Sequence, residues 1–93
     1  MKTQTAYNIA ELATTAVQKK LDFKIGIVEF SHLHQTDSYV VDVISDDIHT
    51  MTYYKADDLK FSVLEYGLDR ASVRVQGNDD VFYIRTGNIS IPE

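Results

Sequence analysis

The sequence predicts an α+β domain of two layers, in the order α-β-β-β-α-β-β: an antiparallel sheet of five or six strands, an N-terminal helix and a second short helix. Three observations predict it. Residues 26–54 hold three runs that alternate apolar and polar side chains, separated by polar turns, which is the pattern of a meander. A stripe of alanine and aliphatic residues at helical spacing comes before them. After them, Gly77-Asn78-Asp79-Asp80 sits between two apolar runs and carries the chemistry of a hairpin turn.

The first helix is expected over residues 5–21. Asn8 followed by Glu11 has capping-box spacing, and Tyr7 and Leu12 stand where a hydrophobic staple would close. A start at Thr5 is the alternative. Ile9, Leu12, Ala13, Ala16 and Val17 share one face, while Glu11, Thr14, Thr15 and Gln18 point away. Lys19 and Lys20 suit the negative end of the helix dipole. The alanines imply a close approach to the sheet.

The meander sets its own register. A turn at Gln35-Thr36, or a four-residue turn over residues 34–37, puts Val28 opposite Val43, Phe30 opposite Val41 and His32 opposite Tyr39. The other side then pairs Ile27, Glu29 and Ser31 with Ile44, Asp42 and Val40, a mixed face that can meet water. Closing the second turn with Ser45-Asp46-Asp47 puts Val41 opposite Met51 and Tyr39 opposite Tyr53 on the apolar side. A one-residue slip would carry a whole strand to the wrong face. Upstream, Phe23 and Ile25 have the opposite parity to Val28 and Phe30. Either a bulge at Gly26 reconciles them, or Phe23 and Ile25 cover the back of the sheet.

Residues 56–68 carry two signals. Leu59, Phe61 and Val63 alternate as in a strand, but Asp57 or Asp58 makes a good N-cap, and Gly67 with Leu68 fits a Schellman ending. The flanking signals favour a short helix. Downstream, the hairpin pairs Val75 with Phe82 and Val73 with Ile84, leaving Arg74 beside Tyr83 on the other face. Residues 88–91 are expected as a last edge strand, stopped by Pro92. This element order is similar to the opening of the small acidic chaperones of type III secretion. Those proteins continue into a further helix that this chain lacks, and no residue role is carried over.

Ninety-three residues make one domain, and 44% apolar with 25% charged residues is an ordinary globular composition. No apolar run is long enough to span a bilayer, the start has no signal-peptide stretch, and there is no cysteine, so the expected address is the cytoplasm, away from membranes. A net charge of −5 repels phosphate backbones, which disfavours direct nucleic-acid binding and favours a basic protein partner.

Motif searches predict no enzyme and no cofactor: there is no phosphate loop, nucleophile elbow or zinc helix. His32 and His34 share a strand face, and a third ligand could come from His49 or Asp37. His49 falls about 13 Å away along the neighbouring strand at ~3.3 Å per residue, and no metal site is expected. His32 is expected beside Tyr39 and Tyr53. Glu29 opposite Asp42 could serve acid/base chemistry as a close carboxylate pair. It lies on the wetter face outside any cleft, however, and is read as a like-charge pair that costs stability, unless a bulge separates the two or a cation stands between them.

The acidic turns are the candidate site. An up-and-down path brings Asp37, Asp57, Asp58, Asp79 and Asp80 to one rim, where they would steer a basic partner onto exposed anchors such as Tyr54 or Phe23. Asp is also a common turn and N-cap residue for purely local reasons. The expected function is a small non-enzymatic inhibitor or adaptor, of a kind carried by phage or mobile elements, and in its sharpest form a nucleic-acid charge mimic. The alternatives are a small-ligand domain with a pocket between helices and sheet, and a homodimer paired through an edge strand or through Ile25, Ile27, Val40 and Ile44.

Overall fold

The computed structural model describes residues 2–44, 49–85 and 89–91. Helix α1 spans Thr3–Gln18. Strands β1 (Phe23–Ile25), β2 (Val28–Leu33), β3 (Ser38–Ile44) and β4 (His49–Lys55) follow. A single 3-10 turn, Ala56–Asp58, leads into β5 (Lys60–Gly67), β6 (Arg70–Gly77), β7 (Asp80–Ile84) and β8 (Ile89–Ser90). The fold is α+β and its strand pairings are antiparallel, as expected.

The helix begins earlier than the cap signals suggested. Lys2 is the N-cap, with an extended backbone and no side-chain cap, and Asn8 lies inside the helix, accepting a hydrogen bond from Gln4 Nε2 at 3.4 Å. A good cap contributes only about 1 kcal/mol. The early start instead places Ala6 in the core, beside Ile9, Ala10, Ala13, Ala16 and Val17. Tyr7 and Leu12 are both about half exposed and form no staple across a helix start. At the other end the Lys20 N–H bonds to the Val17 carbonyl at 3.1 Å and the Leu21 N–H to the Ala16 carbonyl at 2.9 Å. That is a Schellman ending, with Lys20 at φ 59° in the position where Gly is usual.

The first hairpin of the meander has the expected register, with Val28, Phe30 and His32 opposite Val43, Val41 and Tyr39. Phe23 and Ile25 belong neither to a bulged strand nor to the back of the sheet. Gly26 at φ 60° and Ile27 make a two-residue hairpin turn, so that Phe23 pairs with Phe30 and Ile25 with Val28. A positive angle at the first central residue is the II′ pattern that glycine accepts freely.

The second hairpin is displaced by one residue from expectation. Tyr39 faces Tyr54, Val41 faces Thr52 and Asp42 faces Met51. Pairing ends at Ile44 and His49, so four residues, not three, separate the strands. Because facing alternates along a strand, this flips the whole of β4: Tyr54 is 7% exposed, whereas Tyr53 is 63% and Met51 50% exposed. The acidic pair Asp46-Asp47 lies outside the described residues.

The expected second helix is a strand. Asp57 and Asp58 cap no helix but lie within the 3-10 turn, whose N-cap is Lys55, after which Phe61 and Val63 alternate inward opposite Val75 and Val73. Leu68 is 94% exposed and makes no Schellman contact. Pairing across β6 outweighs the helix-end signals, because β6 would otherwise lie uncovered on that side. With a strand here, the element order that suggested the secretion chaperones is not the order of this fold.

The strands divide into two sheets, ordered β4-β3-β2-β1-β8 and β5-β6-β7. The turn at Ala56–Asp58 redirects the chain from one sheet to the other. Their inner faces meet through aromatic rings: Phe23 stacks on Phe30 at 4.5 Å, and Phe61 of β5 meets both edge-on at 5.9 and 5.6 Å. Helix α1 covers β5 and β6, completing one shared core. In the last hairpin Val73 pairs with Ile84, Arg74 with Tyr83 and Val75 with Phe82, around the two-residue turn Asn78-Asp79. Strand β8 pairs with β1, as the expected edge strand.

Candidate functional site

The end of the domain that carries the β2–β3 turn is built on Asp37. Its backbone is left-handed, at φ 50°, and its carbonyl accepts the Ala56 N–H at 3.0 Å, which seats this turn against the one that bears Asp57 and Asp58. Asp80 is tied to β4, where the Tyr54 hydroxyl donates to its Oδ2 at 3.4 Å. Asp57, Asp58, Asp79 and Asp80 are exposed. Asp37 is also exposed but is already engaged. Lys20 Nζ lies 3.1 Å from its Oδ1, and His32 Nε2 lies 2.7 Å from the same oxygen. The His32 hydrogen bond, then Lys20, hold its carboxyl below the ordinary aspartate value.

Neither expected aromatic anchor is available. Tyr54 and Phe23, 7% and 2% exposed, are core residues. Tyr53 takes the anchor's place on the outer face of edge strand β4. Val40 is its cross-strand neighbour, Leu33 lies diagonally beyond, and Met51 is two residues along. Sequence reasoning missed Tyr53 only through the one-residue register error. Ile25 is fully buried, so the expected dimer surface on the back of the sheet does not include it. On that back face Glu29 and Asp42 pair directly, with no bulge between them, and Lys24 Nζ stands 3.9 Å from Glu29 on the side away from Asp42, not between the two.

Beneath Asp37 lies His32, whose ring is tilted against Tyr39 at 5.1 Å, while Tyr53 faces the opposite side. Its Nδ1 is 3.2 Å from His34 Nδ1. Asp22 Oδ1 accepts the His32 backbone N–H at 2.8 Å, fixing the strand at this point. Among the described residues no three His, Cys, Asp or Glu side chains converge as a metal cage.

Tyr39 itself is fully buried, and its hydroxyl donates to the Leu21 carbonyl at 2.8 Å. Burial, reinforced by the charges of Asp22 and Asp37, pushes its pKa from 10.0 up to about 12. A raised folded-state value means the neutral phenol is favoured in the native protein. The resulting stability is fully present below pH 10 and is lost as pH rises toward 12. An alkaline absorbance titration is therefore expected to show a tyrosine ionising late, with loss of structure over the same interval. Tyrosines that all titrate together near pH 10 would contradict this.

Concave surfaces lie at the periphery. A groove of about 760 Å³ runs between the β1–β2 turn and β7, lined by Ile27, Val28, Val43, Phe82 and Arg85 among others. A smaller one, about 330 Å³, lies where the end of α1 meets Asp57 and Phe61. No described helix is long and apolar enough to cross a membrane. No family model, no curated protein and no solved structure matches the chain.

Proposed function

We propose that this chain is a non-enzymatic interaction domain that docks on a basic protein, as an inhibitor or adaptor does. The observation that carries the reading is Tyr53, 63% exposed on an edge strand, with Met51, Val40 and Leu33 around it and Asp37, Asp57 and Asp58 at the near end. An amphipathic ring within an apolar strip bordered by charge suits an interface anchor, since such residues carry much of the energy of association. The acidic border and the net charge of −5 supply attraction at a distance and select for a basic partner. A partner that normally binds nucleic acid is the sharpest form of this proposal.

The test compares the wild type with Tyr53→Ala and with the double variant Asp57→Lys/Asp58→Lys in capture from host cells, followed by titration of the captured protein at rising salt. A basic partner is expected, bound at least tenfold more weakly by each variant and more weakly as salt is raised. Capture indifferent to both variants and to salt overturns the proposal.

One observation favours a second reading. The 760 Å³ groove could hold a small apolar ligand, though between the two sheets and not between helix and sheet. Saturable binding of an apolar fluorescent probe, abolished by Val43→Trp, is the expected result under that reading. Failure of the probe to bind removes it.

A further inference from the structure

We infer that His32 and His34 form a two-nitrogen binding site for a d-block divalent cation of the zinc class, with Asp37 as its positioning residue. The two Nδ1 atoms stand 3.2 Å apart. Two nitrogens on one tetrahedral zinc, each at about 2.0–2.1 Å, stand about 3.3 Å apart, so the pair is already at chelating distance.

The tautomer follows from the partners. His32 Nε2 is 2.7 Å from the Asp37 carboxylate, which can only accept, so Nε2 carries the hydrogen and the neutral ring presents the Nδ1 lone pair toward His34. A histidine whose second nitrogen is held by a carboxylate is the usual outer arrangement of a metal-bound imidazole. The ring is also fixed in place, since the His32 side chain is 4% exposed, packs on Tyr39 and has its backbone N–H tied to Asp22. Asp37 is held in turn by Lys20 at 3.1 Å, reaching from the left-handed end of α1. His34 is exposed, so the site combines one buried and one exposed ligand.

Water fills the remaining positions around the cation. Imidazole donors suit zinc, nickel and copper(II), whereas magnesium and calcium require oxygen ligands. The alternative occupant of the gap is a proton, as an Nδ1–H···Nδ1 hydrogen bond between the rings.

Calorimetric titration of the full, tag-free chain with zinc chloride tests the inference, with magnesium chloride as the control. One zinc per chain is expected. His34→Ala, at an exposed position, should weaken it at least tenfold. Asp37→Asn should weaken it about tenfold by removing the carboxylate charge, and Asn tolerates the left-handed backbone there. Zinc should also shift both Nδ1 resonances in long-range nitrogen spectra, a change that a purely structural hydrogen bond would not produce. Absence of binding at millimolar zinc, binding unchanged in either variant, or equal binding of magnesium overturns the inference.

Discussion

Replacing Phe30 with Ala is expected to cost about 3–5 kcal/mol, the range for removing a large aromatic from a packed core. Phe30 is fully buried, stacks on Phe23 at 4.5 Å and meets Phe61 edge-on at 5.6 Å. The Phe61 contact joins the two sheets, so the cavity would open where neither sheet can close it alone. A domain of this size has a total stability of roughly 5–14 kcal/mol, and such a loss is a large part of it. Urea denaturation of the wild type and Phe30→Ala measures the difference. The same experiment on the neighbouring tyrosines checks the register of β4: Tyr54→Ala should cost about 3 kcal/mol or more, and Tyr53→Ala within about 0.5 kcal/mol. The reverse order would restore the register in which Tyr53 points inward.

Gly77→Ala is expected to destabilise by about 3 kcal/mol, the upper part of the range for overpacking. A Cβ on Gly77 would run into Tyr54 Cδ1 and lie 2.8 Å from both Cγ and Cε1. The ring has little room to retreat, because it is buried and its hydroxyl lies against Asp80. Thermal unfolding should fall by roughly 12–24 °C at ~4–8 °C per kcal/mol for a small domain. Gly67→Ala is the control. There the nearest atom is Arg70 Cδ at 3.4 Å, the movable part of a flexible side chain, and a change of well under 1 kcal/mol is expected. Combining Gly77→Ala with Tyr54→Ala should cost less than the sum of the two, since the second change removes the obstacle.

The parts of the fold that were readable in advance share one property: a single parity of apolar residues. Val28, Phe30 and Val41 leave only one sensible facing, and the β2–β3 register follows. In β4 both parities are plausible, because Met51 and Tyr53 compete with Thr50, Thr52 and Tyr54, and adjacent tyrosines point to opposite faces. One residue in the preceding turn decided between them. Residues 60–67 mislead for a different reason. Asp57, Asp58 and Gly67 are sound local punctuation for a helix, but the strand is imposed by β6, which lies beyond any local window. The division into two sheets left no mark on the alternation pattern, which looks alike in one sheet or two. For the candidate site, the histidine spacing was visible from the start. The bond from His32 to Asp37 was not, because it depends on the left-handed turn that swings Asp37 back over the strand.

Strand β8 is only two residues long, yet it lies along β1, sixty-odd positions away in the chain. Until Ile89 and Ser90 leave the ribosome, the Phe-Lys-Ile segment has an unpaired border, and an open border invites strands from other molecules. The larger sheet therefore cannot be completed early in synthesis, even though four of its five strands are made first. Nascent chains halted before residue 89 should be stickier along β1 than the finished molecule, in which Lys24 and Ile25 are paired.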